Sequence, residues 1–125
     1  MGEKHMERAL QEREEIRRKV IEHVRSWAKK IRFPATIILI GSYARGDHNF
    51  WSDIDILLIA NTEKALHRRL ENIDYPPNFE IIFLTPSEFK LLLKRREPIA
   101  LEALLEGVIV RDDLNIRKLK ERLPE

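Results

Sequence analysis

With 125 residues, 43% of them hydrophobic and 35% charged, the chain has the make-up of one globular domain and not of a disordered segment. Its 23 basic and 21 acidic residues leave a net charge of only +2, too little to hold nucleic acid by charge alone, so no nucleic-acid partner is expected. Cysteine is absent, which excludes disulfides and thiolate metal sites, and no apolar run approaches the roughly 20 residues that span a bilayer.

Residues 1–15 are polar and lack the apolar core of a secretory signal, so a cytoplasmic protein with no membrane partner is expected. Residues 7–32 predict one long helix, because Leu10, Ile16, Val20, Val24, Trp27 and Ile31 recur at helical spacing. Pro34 ends it. Residues 36–40 are short, apolar and β-branched, the pattern of a strand buried on both faces. Residues 42–47 predict a short helix with Ser42 as N-cap. A loop follows, then a second buried strand over 53–59 and a helix over 63–70.

After a turn at 74–78, a third strand is expected over 79–84. Thr85, Pro86 and Glu88 spell a helix start with a capping box. That helix runs to 96, and another covers 98–105 and ends at Gly107, read as its C-cap. A fourth strand at 108–110 and a closing helix over 114–123 complete the chain. The expected fold class is α/β (α+β): a central mixed sheet of about four strands flanked by helices. The expected division is a single domain over 1–125, with a helical extension at 1–33, a core at 34–112 and a C-terminal helix at 113–125.

The chemistry is written at three points. Asp53 and Asp55 alternate on a strand, so both carboxylates fall on one face, with Cα atoms about 6.5–7 Å apart. Two such charges are costly unless something positive sits between them, and Mg²⁺, which needs only one or two carboxylates beside water and phosphate oxygens, answers that need. An Asp-x-Asp alone is common and also serves turns and ion pairs, Arg45 being one available partner for Asp55. Gly41 and Ser42, between a strand and a helix, offer free backbone N–H groups and a hydroxyl that suit a triphosphate. Taken singly that pair reads as an ordinary turn, but joined to the acids it favours phosphate plus metal. Glu80 is the lone charge of an apolar strand, which places it at the strand mouth or on a metal. Three carboxylates could hold two Mg²⁺ ions, with Glu80 also able to accept a proton.

The run Gly41-Ser42-Tyr43-Ala44-Arg45-Gly46-Asp47, then Ser52-Asp53-Ile54-Asp55, closely resembles the DNA polymerase β-like nucleotidyltransferase superfamily and, within it, the minimal nucleotidyltransferase branch. The resemblance implies ATP as substrate, Mg²⁺ as cofactor, and transfer of a nucleoside monophosphate to a hydroxyl with release of pyrophosphate. It also implies an antitoxin paired with a helical HEPN toxin, whose tyrosine would receive AMP. It assigns catalysis and metal binding to Asp53, Asp55 and Glu80, and nucleotide binding to Gly41, Ser42 and Arg45. The chain departs from the pattern at Glu80, where aspartate is usual.

Other residues read more simply. Arg45 serves either phosphate or Asp47, Ser52 belongs to a turn, and Tyr43, Phe50 and Trp51 stack on a base or merely pack. The four histidines have no paired ligand spacing, which argues against zinc. Two other readings compete: a partner-covering module without turnover, and nucleotidyl transfer to a small molecule. A homo- or hetero-oligomer is compatible with either.

Overall fold

A run of five apolar or β-branched residues suits a strand covered on both faces, and Thr36–Ile40 takes that place: every residue of it is buried. The computed structural model describes residues 2–123. Its elements are α1 (Gly2–Lys29), β1 (Thr36–Ile40), α2 (Gly41–Arg45), β2 (Ile54–Ile59), β3 (Phe79–Leu84), α3 (Pro86–Lys94), α4 (Pro98–Leu105) and β4 (Val108–Asp112). The strands lie in the order β3-β2-β1-β4, with β1 antiparallel to β2 and β4, and β2 parallel to β3. The expected mixed four-stranded sheet flanked by helices, with a long first helix, is the architecture found.

Period-two alternation splits each inner strand between two cores. On one face Ile37, Leu39, Ile56 and Leu58 meet Val24, Trp27 and Ala28 of α1. On the other Ile38, Ile40, Leu57 and Ile59 meet Phe89 of α3 and Ala100, Ala103 and Leu104 of α4. Arg111 fixes the end of α1 by donating Nη1 to the carbonyls of Ala28 and Ile31, both at 2.8 Å.

Several expectations need correction. The first helix begins at residue 2, and Leu10, assigned to its buried stripe, is 57% exposed. A helix of 28 residues is about 42 Å long, while a six-residue strand spans about 20 Å, so the first half of α1 overhangs the sheet. The helix expected over 63–70 is only a 3-10 turn, Leu66–Arg68. Arg69 there donates to the carbonyls of Lys64 and Phe83 and to Glu88, which makes this stretch a strap along the sheet.

The last helix is also 3-10, over Ile116–Arg122, and the final two residues of the expected 113–125 helix lie outside the described residues. The capping box at Thr85 and Glu88 forms as expected. Gly107 is not a left-handed cap, since Glu106 closes α4. A Cβ at Gly107 would lie 2.4 Å from the Ala103 carbonyl oxygen and 2.5 Å from Ile38 Cγ2, so the glycine lets α4 close onto the sheet.

Candidate functional site

Register brings the motif residues together. Ile40, last in β1, lies opposite Asp55, and Asp55 lies beside Glu80 of the parallel neighbour. Asp53 stands one residue before β2. Gly41, Ser42, Arg45, Asp53, Asp55 and Glu80 all line one open cleft of about 750 Å³. Every residue that the sequence assigns to the site is therefore present in it. Glu80 is exposed at the strand mouth, one of the two places its sequence context allowed.

The Gly41–Ser42 turn differs in detail from expectation. Gly41 is already the first residue of α2, Ile40 is the N-cap, and no side chain caps the helix, so Ser42 is not the N-cap. Gly41 has φ +75, and a Cβ there would lie 2.3 Å from Asp55 Oδ2. The glycine is thus required by its own conformation and by the approach of the Asp55 carboxylate. Its amide is not free, because it donates to Glu102 Oε1 at 3.1 Å.

Glu102, on α4, is the site residue that the sequence reading missed. It accepts from Arg45 Nη1 at 2.7 Å, while Arg45 Nε donates to Asp47 at 3.2 Å. Arg45 therefore pairs with Asp47, one of its two readings, and not with Asp55. Burial raises the Asp55 pKa first, and the charges of Asp53, Glu80 and Glu102 raise it further, against a lowering by Arg45.

Two more residues, Arg17 of α1 and His48 of the loop after α2, tie this turn to α1. Arg17 donates Nε to the Tyr43 carbonyl at 2.7 Å and Nη2 to that of Ala44 at 2.9 Å. Buried His48 donates Nε2 to the Arg13 carbonyl at 3.1 Å and stacks on Tyr43, with ring centroids 4.5 Å apart. Tyr43 is accordingly a packing residue, as its blander reading had it. Ser52 holds the loop by accepting from the Asn49 amide at 2.9 Å, while Phe50 and Trp51 are exposed.

Among the described residues, no three carboxylate or histidine side chains converge tightly enough to enclose an ion unaided. The donors nonetheless fit Mg²⁺, which takes its remaining oxygens from water and substrate phosphates. An acid with crowded like charges and a raised pKa, as at Asp55, is what an incoming cation relieves.

The family model described as "Nucleotidyltransferase domain" matches residues 15–122. A crystal structure of a protein from Sulfolobus solfataricus, named only as a candidate nucleotidyltransferase, is similar in fold at TM-score 0.50 and 24% identity. The match covers 81% of this chain and 84% of that one. No curated protein sequence matches. No described helix is long and apolar enough to cross a membrane.

Proposed function

The chain belongs to the nucleotidyltransferase domain family, and from that premise we propose that its cleft transfers AMP from ATP to a hydroxyl, specifically a tyrosine of a HEPN partner, as the antitoxin of a toxin–antitoxin pair. The observation that carries this reading is the register that sets Asp55 between Ile40–Gly41 and Glu80. Asp53 and Asp55, with Glu80, would hold Mg²⁺, which supplies charge neutralisation to the phosphates and activates the attacking oxygen. Ser42 and Arg45 bind phosphate oxygens.

Glu80, exposed at the cleft mouth, accepts the acceptor's hydroxyl proton. The new bond joins that oxygen to the α-phosphorus, the bond from the α-phosphorus to the bridging oxygen breaks, and pyrophosphate leaves. Half-exposed Ile82, two residues along from Glu80, joins Pro98 and Ile99 in an apolar shelf on the same cleft, which suits a phenol ring. Mass analysis of the partner after incubation with ATP and Mg²⁺ tests this reading. One added AMP on a tyrosine is expected. The added mass persisting after that tyrosine is changed to Phe would refute the assigned acceptor.

The occupation of the Gly41 amide and the Arg45 guanidinium by Glu102 favours one second reading, a module that covers its partner without turnover. That reading expects Asp53→Asn and Asp55→Asn to neutralise the partner as well as the unaltered chain does.

A further inference from the structure

We propose that Glu102 is a positioning residue that keeps the phosphate donors of the cleft occupied until nucleotide displaces it. This rests on the reading of the cleft as a triphosphate site. One oxygen, Oε1, accepts from the Gly41 amide at 3.1 Å and from Arg45 Nη1 at 2.7 Å. An anionic oxygen that receives a backbone N–H and a guanidinium N–H together is what a phosphate oxygen presents to such donors. Glu102 therefore stands in the place of one phosphate oxygen.

Both donors are engaged on more than one side. Gly41 sits at φ +75 with no room for a Cβ beside Asp55 Oδ2, so the backbone there has little latitude. The Nε edge of Arg45 is engaged by Asp47. The helix that carries Glu102 is also fixed, because Gly107 brings it against Ile38. Rotation of the Glu102 side chain, which is 29% exposed and lines the open cleft, releases both donors at once.

Charge sets when that happens. Asp53, Asp55, Glu80 and Glu102 share the cleft with Arg45, the one cation lining it among the described residues. A polyphosphate entering alone meets repulsion and a guanidinium already paired. A divalent ion entering with the nucleotide offsets the repulsion and so leaves the phosphates able to compete for the guanidinium; Glu102 thereby makes binding depend more on that ion.

The test is nucleotide affinity by calorimetry, with and without Mg²⁺, for the unaltered chain, Glu102→Gln and Asp47→Asn. Charge-assisted hydrogen bonds are about twice as strong as neutral ones, so Glu102→Gln should bind ATP about tenfold more tightly without Mg²⁺ and need the ion less. Asp47→Asn makes the same charge change on the same guanidinium but leaves the Gly41 amide occupied. It should shift affinity by less than about threefold. Melting curves for all three confirm that each is folded.

Equal or weaker binding by folded Glu102→Gln would show that the carboxylate only props up the turn, and would overturn this proposal while leaving nucleotidyl transfer standing. An equal gain from both variants would reduce the effect to net charge and likewise overturn it. If no protein binds ATP even with Mg²⁺, the triphosphate reading fails and this inference fails with it.

Discussion

On the face of the sheet under α1, Ile37, Leu39, Ile56 and Leu58 are sealed beneath Val24 and Trp27. On the opposite face Ile38, Leu57 and Ile59 are sealed by Phe89, Ala103 and Leu104, but the cover stops short of Asp55 and Glu80. Strand alternation places Asp55 on the same face as Leu57 and Ile59, so the carboxylate and the core share a strand and differ only in what lies above them. The first face supplies stability alone. The second supplies stability at one end and, at the other, partly buries Asp55 and crowds it with like charge, which in that order raise its pKa. The proposed chemistry sits where the covering helices end.

The sealed face should show the largest effect. Trp27→Ala removes a buried indole whose Nε1 donates to the Asp74 carbonyl at 2.8 Å, and should cost about 3–5 kcal/mol by chemical denaturation. On the open end the effects should separate. Asp55→Asn should lower transfer about a hundredfold or more, the scale seen when one preorganised electrostatic contact is lost. It should not lower Tm at neutral pH, since an acid whose folded pKa is raised stabilises the fold only below that pKa. A marked drop in Tm would mean that Asp55 holds the fold and not the chemistry.

A smaller effect is expected at Glu88, whose pKa is lowered to about 2 by its Arg69 hydrogen bond first and the Thr85 amide next. Its folded pKa lies below the unfolded value, so its contribution is present above about pH 4.5 and is lost as pH falls toward 2. Glu88→Gln should flatten that part of a stability–pH curve, and an unchanged curve would rule out the pairing as its source. Leu10→Ala on the overhanging half of α1 should change stability by less than about 0.5 kcal/mol, measured on the isolated chain. A larger loss would place Leu10 in a core.

Much of this contrast is legible in the residues. Thr36–Ile40 and Ile54–Ile59 could hardly be anything but inner strands, and Gly41-Ser42 with Asp53 and Asp55 marks their ends as a site. Leu10 misled because helical periodicity does not tell how far the sheet beneath extends. Residues 63–70 misled because so short a helix needs packing to persist, and Arg69 ties the segment to Phe83 and Glu88 instead. Glu102 was invisible because nothing local distinguishes it from any other helical glutamate; its role arises from a contact 61 positions away in the chain.

In the proposed function, the acids at the uncovered end of the sheet turn over nucleotide. The most direct measurement is transfer of label from α-labelled ATP to the proposed HEPN partner with Mg²⁺, comparing the unaltered chain with Asp53→Asn/Asp55→Asn. Label on the partner with the first and background with the second, both folded, is the predicted result. Equal neutralisation of the partner by both, with no label on it in either case, would contradict the account.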